Sequence, residues 1–298
     1  MDQQCNQGGN KTSKHPCFSF NAHKNYARMH LPVAPACNIS CNYCNRKYDC
    51  LNESRPGVCS DILSPEEAYQ RFLLVREHLP NLSVVGIAGP GDALADWEHT
   101  RLTLEKIRRV AGDMAFCLST NGLLLPQYIN EIIALGIDHV TVTVNCLDPA
   151  IGEKIYRYVN YQGKLYHSRE AAALLLENQL QGIEMLTRRG VILKINTVMI
   201  PGINDRHIPE ISRAMKELGA YVSNIIPMIP VKGSAFENFP QTSMSQLLFM
   251  REKCRADLPQ MRHCRQCRAD AVGLLGKDMQ IEQINCKSLA GEKAEQAV

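Results

Sequence analysis

Apolar and polar positions run along this chain in blocks, and the period of the pattern changes from block to block. Residues 82–89 (LSVVGIAG), 114–122 (MAFCLSTNG), 139–145 (HVTVTVN), 191–200 (VILKINTVMI) and 221–230 (YVSNIIPMIP) are short apolar runs that end at glycine, asparagine or proline, the pattern of buried strands. Between and after them, 64–79, 100–112, 125–136, 168–190, 205–220 and 242–258 carry apolar residues at helical spacing. Ser64 followed by Pro65 and two glutamates predicts a capped start for the first of these, and Gly112 and Gly190 predict ends. A strand over 28–36 (RMHLPVAPA) opens the series. Strand and helix alternate about six times without hairpin signals, which predicts parallel strands joined by right-handed helical crossovers. Both a doubly wound sheet and an α/β barrel satisfy this pattern, and both place ligand chemistry at the C-terminal ends of strands.

Composition narrows the function classes. A chain of 298 residues suits one large domain or two small ones. Its 33 basic and 30 acidic residues leave a net charge of +3, too balanced for a nucleic-acid or anionic-membrane surface, and a single Trp argues against base stacking. The N-terminal MDQQCNQGGNKTSK is polar, with no apolar leader, and no apolar run approaches the ~20 residues that span a bilayer. Thirteen cysteines in such a chain are expected to hold metal in a reduced, cytoplasmic, oxygen-protected setting rather than to form disulfides.

The cysteines cluster at 37–44 (CNISCNYC), where Cys37, Cys41 and Cys44 stand at C-x3-C-x2-C. Three thiolates this close can hold three irons of a [4Fe–4S] cube and leave the fourth iron open to a ligand; structural zinc is the alternative for closely spaced thiolates. Cys264 and Cys267 form a C-x2-C pair, half of a metal site. Cys17 (in HPC) and Cys50 (in DC) lie outside apolar periodicity, Cys117 lies within a strand, and His15, His23 and His30 fall within sixteen residues. AGPGD (88–92), STNG (119–122), TVTVN (141–145) and KINTV (194–198) close strands, and each has the alternative of an ordinary turn or cap. Cys5, Cys59, Cys146, Cys254 and Cys286 have no partner at metal spacing.

The cysteine spacing, with Tyr43 just before the third thiolate, resembles the radical S-adenosylmethionine (SAM) superfamily. HPCFSFNAHKNYARMHLPVAPACNISCNYCNRKYDCLNESRPGV (15–58), AGPGD, STNG, TVTVN and CRQCRADAVGLLGKD (264–278) together resemble the NifB family of nitrogenase cofactor maturation. The resemblance implies a partial (β/α)6 barrel with cluster-binding extensions. It divides the chain into an N-terminal extension (1–27), the barrel (28–240), a C-terminal cluster-binding segment (241–286) and a polar tail (287–298). It further implies three [4Fe–4S] clusters. Cys37, Cys41 and Cys44 would hold the SAM-binding one, and Tyr43, Gly89, Gly91, Asp92, Thr120, Asn121, Asn145 and Asn196 would face SAM. Two substrate clusters, called K clusters, would be held by Cys264 and Cys267 and by Cys50 and His30, with Cys17 and Cys117 divided between them.

In that family the two K clusters are fused with a SAM-derived carbon and a sulfide into an eight-iron precursor, and Glu53 and Arg55 of ESRP would act beside them, Glu53 as base. Strand alternation from His30 would put it on one face with Pro32, Ala34 and Ala36, beside SAM and Cys50. The implied partners are SAM, an iron–sulfur cluster donor, a reductant such as ferredoxin or flavodoxin, and a carrier or scaffold for the product, with no nucleic acid and no membrane. About twenty residues follow LLGKD, so the family's additional carrier domain is expected to be missing.

Overall fold

The computed structural model describes residues 11–55, 57 and 61–279. Cys5, Cys59, Cys286 and the 287–298 tail lie outside the described residues. Six strands run parallel in the order β1 (Ala27–His30), β3 (Leu82–Ile87), β4 (Ala115–Thr120), β5 (His139–Thr143), β8 (Ile192–Met199) and β9 (Val222–Pro227). The helices α1 (Pro65–His78), α2 (Trp97–Val110), α3 (Leu125–Ala134), α5 (Ser168–Arg188) and α6 (Ile208–Glu217) lie between successive strands, with α4 (Pro149–Ile155) before α5 and α7 (Met244–Cys254) after β9. This is the parallel α/β order predicted from the pattern, built as a partial barrel.

Local chemistry explains the boundaries. Ser64 Oγ accepts from Glu67 N while Ser64 N donates back to the Glu67 carboxylate, a reciprocal cap behind Pro65. The first strand stops at His30 rather than reaching residue 36, because Pro32 and Pro35 bring no N–H to a ladder. Ala34 makes only a bridge to Pro90, and Gly91 N and Asp92 N donate to Ala34 O and Ala36 O at 2.7 Å each. A Cβ on Gly91 would lie 2.0 Å from Ala36 O, so this close approach admits only glycine. The second helix starts at Trp97, three residues early; the Asp96 carboxylate is drawn to Ala36 N on the cysteine loop.

Two strand pairs depart from a pure alternation. β6 (Tyr156–Tyr161) and β7 (Lys164–Tyr166) form a hairpin on which β2 (Ile39–Cys41) pairs, with Cys41 opposite Tyr156. The turn residues Gln162 and Gly163 have φ of 53° and 78°, the left-handed pair a tight hairpin needs. At the other edge, β10 (Val272–Leu274) adds antiparallel to β1, with β11 (Lys277–Asp278) outside it.

The two faces of the sheet differ in chemistry. Met29, Val85, Phe116, Leu118, Val140, Val142, Leu193 and Ile195 pack outward against the helices in the main core. The alternate positions Arg28, His30, Cys117, Ser119, Thr141 and Lys194 face inward. A barrel interior is commonly filled by branched apolar side chains; here it is polar and sulfur-bearing. Residues 259–272 then cross from one sheet edge to the other. Met261 N donates to Ser223 O beside β9, and His30 N donates to Ala271 O beside β1. This strap carries Cys264 and Cys267.

Candidate metal centre

Two cavities in the barrel are lined by the described residues. Cys37, Cys50, Asn52, Gly91, Asp92, Thr120, Asn121 and Thr143 line the upper, at the C-terminal ends of the strands, with an empty volume of about 290 Å³. His15, Cys17, Arg28, His30, Cys117, Lys194, Cys264 and Cys267 line the lower, of about 540 Å³. Glu53, Ala88 and Ser119 line both.

In the cysteine loop, Cys44 N donates to Cys41 O in a tight turn, and all ten cysteines in the described residues are free of disulfides. Burial pushes the Cys37 thiol up to about 12, with the neighbouring Asp92 adding to it. Burial raises Cys41, Cys44 and Cys50 too, and the Arg46 guanidinium opposes it at Cys44. Arg46 fastens the loop by donating to Pro35 O and Pro90 O.

Asp92 organises the upper cavity. Its carboxylate accepts from Thr120 Oγ1, from Asn121 N at 2.6 Å and from Leu94 N and Ala95 N. Asn121 Nδ2 in turn donates to Asn38 Oδ1 at 2.7 Å inside the cysteine loop. The buried Asn38 Nδ2 has no partner among the described residues. Gly122 follows with φ of 89°, and a Cβ there would meet Gln179 Cγ at 2.8 Å.

The lower cavity brings together residues as far apart in the chain as His15 and Leu275. The two histidines lining it are in opposite states. His30 Nδ1 lies 3.1 Å from Arg268 O; a carbonyl only accepts, so Nδ1 carries the proton and Nε2 keeps its lone pair. His15 Nδ1 accepts from Cys17 N at 3.2 Å, which leaves the proton on Nε2, buried and without a partner among the described residues. Burial, then the Arg28 charge, pulls His30 down to about 4, so its ring is neutral at pH 7. The His30 ring stands over Gly86, where a Cβ would come within 3.2 Å of it. Both strap cysteines accept N–H bonds: Cys267 Sγ from Arg28 Nη2 at 3.0 Å, and Cys264 Sγ from Asn224 Nδ2 at 3.3 Å.

The fold therefore groups the expected residues as follows. Cys37, Cys50, Gly91, Asp92, Thr120 and Asn121 share the upper cavity; Cys17, His30, Cys117, Cys264 and Cys267 share the lower. Cys50 and His30 line different cavities, and His30 lies beside Cys117 rather than Ala34 and Ala36, since its strand ends there. Gly89 packs against Ala269 outside both linings. Tyr43 is buried: its hydroxyl donates to Asn52 Oδ1 at 2.6 Å and accepts from Asn145 Nδ2 at 2.8 Å. Asn196 Nδ2 donates to Asn52 O and to Glu53 Oε1 at 2.5 Å. Asn145 and Asn196 thus act on the loop after the cysteines rather than on open space. Arg55 N donates to Gln266 O and its side chain is exposed. Arg28 and Lys194 were not singled out as site residues, though a charged residue within a short apolar strand was the available signal; His15 was noted with His23 and His30 but given no role.

The profile of the Radical SAM superfamily matches residues 31–215, more than half of the chain. The chain belongs to the radical SAM superfamily. As a radical SAM protein it is also similar to the FeMo cofactor biosynthesis protein NifB of Herbaspirillum seropedicae, with 52% identity over 276 residues, 91% of this chain and 53% of that one. The NifB protein of Klebsiella pneumoniae is 50% identical over 272 residues, 90% of this chain and 58% of that one. The chain spans about half the length of the curated relatives it matches. Among solved structures, Streptococcus suis SuiB bound to S-adenosylmethionine shares the fold at a TM-score of 0.56 and 13% identity, covering 78% of this chain and 50% of that one.

Radical SAM membership implies a [4Fe–4S] cluster and SAM. The residues present fit them. The donor set is soft thiol sulfur, which suits iron–sulfur clusters, and buried thiols held above their ordinary pKa lose their protons when a metal binds. The orphaned N–H of Asn38 adds an unmet donor in that loop. Among the described residues no three His, Cys, Asp or Glu side chains are grouped closely enough to hold a single metal ion. No helix among the described residues is long and apolar enough to cross a membrane.

Proposed function

We propose that this protein is a nitrogenase cofactor-assembly enzyme that joins two [4Fe–4S] substrate clusters with a SAM-derived carbon and a sulfide into an eight-iron precursor. One observation carries this reading: a second, larger cavity lies below the SAM-side cavity, lined by four cysteines and a histidine with a free Nε2 lone pair, and Glu53 belongs to both. Four thiols and an imidazole lone pair around one cavity suit bound iron–sulfur clusters better than a small organic substrate alone. The identity to NifB proteins over nine-tenths of the chain supports the same reading.

In this reading Cys37, Cys41 and Cys44 hold the resident cluster, which when bound supplies the electron that cleaves SAM to methionine and a 5′-deoxyadenosyl radical. Gly91, Asp92, Thr120 and Asn121 shape the pocket for SAM, Asp92 by fixing the backbone rather than by direct contact. Cys17, His30, Cys117, Cys264 and Cys267 bind the substrate clusters; five donors for two clusters leave both under-ligated, as a substrate that must be released requires. Glu53 stands between SAM and substrate. Burial raises its carboxyl above the ordinary value while Lys194 opposes, so it is poised to take a proton from the SAM-derived carbon. Arg55 holds the strap through its backbone.

Anaerobic iron and sulfide analysis with a reduction assay tests the proposal. It requires about twelve irons per chain and 5′-deoxyadenosine on reduction with SAM. About four irons with intact SAM cleavage would show an enzyme without cluster substrates, and iron without SAM cleavage a carrier; either refutes it.

A further inference from the structure

Strand β8 is buried along its whole length, and within it Lys194 carries the only charge. Its side chain is 6% exposed and points into the lower cavity. Its nearest carboxylate oxygen, Glu53 Oε2, is 3.9 Å away, a loose pairing for a buried ammonium, and Glu53 already accepts from Asn196 at 2.5 Å. The Phe18 ring lies 5.6 Å from Nζ, and Nζ donates no hydrogen bond among the described residues. An ammonium withdrawn from water with one distant partner is costly unless another anion completes its surroundings. The groups that would supply that anion are at hand: Lys194 is coupled electrostatically to Cys17, Cys117 and Cys264, three of the four cavity cysteines. The other buried cation lining this cavity, Arg28, is already engaged by Asp278, Gly273 O and Cys267 Sγ.

We propose that Lys194 is the counter-charge for an anionic, thiolate-ligated iron–sulfur substrate in the lower cavity. It retains the substrate there without bonding iron. This rests on the reading of the lower cavity as the substrate-cluster site. The choice of lysine fits the task. Arg28 presents a fixed fork to one sulfur and one carboxylate, whereas an ammonium is a compact point charge on a flexible stem. A point charge attracts an anion of any outline, so it serves both before and after two cubes become one larger body. Glu53 at 3.9 Å occupies the ammonium while no substrate is present and is set free when the thiolates take over. Lys194 is thus a specificity residue for charge, separate from the donors that set geometry.

The test uses the full chain, reconstituted anaerobically with iron and sulfide, as wild type, Lys194→Met and Lys194→Arg. Three quantities are read: iron per chain, the rate at which a ferrous chelator strips it, and the reduction potentials of the clusters, with the SAM-site cluster recognised by its spectral response to SAM. Lys194→Met is expected to lose lower-cavity iron about tenfold faster, the low end for a residue behind a metal ligand. It should also lower the potential of those clusters, since removing a nearby positive charge disfavours reduction. Lys194→Arg keeps the charge and should restore the potential, with retention recovered only in part because its planar fork suits fewer outlines, and the SAM-responsive cluster should stay unchanged in all three. If Lys194→Met gives no folded protein, Lys194→Gln carries the same readouts. Wild-type values in the neutral variant, or an arginine variant no better than methionine, overturn the assignment. A wild type holding only about four irons overturns the cavity reading and this inference with it, whereas about twelve irons with an unaffected neutral variant overturns this inference alone.

Discussion

Glycine at position 91 sets the spacing on which the upper cavity depends. Its N–H reaches Ala34 O at 2.7 Å, and the strand-end loop carrying Asp92 is thereby drawn onto the backbone that leads into the cysteines. Gly91→Ala puts a methyl 2.0 Å from Ala36 O, a contact with backbone that no rotamer relieves. The expected cost is on the order of 3 kcal/mol, visible as a lowered midpoint in thermal unfolding and as reduced iron in the SAM site. His30 is the sharpest single-residue case in the lower cavity, because its Nδ1–H is committed to Arg268 O and its Nε2 is free. His30→Ala should keep SAM cleavage and remove a nitrogen coupling from the lower clusters in pulsed electron paramagnetic resonance. A coupling that persists in the variant, or is missing from the wild type, would count against ligation by this ring.

At the scale of elements, the cysteine loop and the strap are separable devices. Replacing Cys37, Cys41 and Cys44 together with Ala should abolish 5′-deoxyadenosine formation while leaving the lower-cavity iron in place, since none of the three lines that cavity. Replacing Cys264 and Cys267 with Ala should do the reverse: SAM cleavage survives and about four irons are lost. Unchanged iron in that double variant would remove the pair from the ligand set. The loop was legible in the sequence, because three cysteines within eight residues report their own proximity. For Cys17, Cys117 and Cys264 only the resemblance pointed to the substrate clusters, and their division stayed open, because they meet through strand register and a crossover that spacing does not report. The β6–β7 hairpin escaped for a different reason: its short, tyrosine-rich strands alternate weakly, and Gln162-Gly163 is a less common turn pair than Asn-Gly. The prolines at 32 and 35, present in the sequence, were enough to end β1 at His30.

For the whole molecule, alternating blocks of period 2 and period 3.6 conveyed the parallel α/β order, since each crossover helix needs one apolar stripe and each buried strand an apolar face. What periodicity could not convey is that the inner face is polar, because strands apolar on one side and chemically armed on the other read as buried throughout: β8 is buried at all eight positions yet includes Lys194 and Asn196. An interior of thiols and paired charges packs less well empty than filled. Loading with iron and sulfide should therefore raise the thermal midpoint relative to the stripped protein, as any ligand bound only by the folded state does. Equal midpoints would show that the cavity binds nothing tightly.

The strap has a consequence for when the protein becomes competent. The edge of β1 pairs Arg28 with Gly273 and Met29 with Val272, a closure between residues 245 and 243 positions apart in the chain. Until residues 264–273 leave the ribosome, this edge of β1 is uncovered and the lower cavity lacks a wall and two of its four thiols. A nascent chain can order the cysteine loop and the middle strands early, but it has nothing with which to retain a cluster below them. If the lower cavity takes clusters as proposed, it can hold them only once the strap is in place, so loading is expected to follow synthesis of residues 259–273 rather than accompany it.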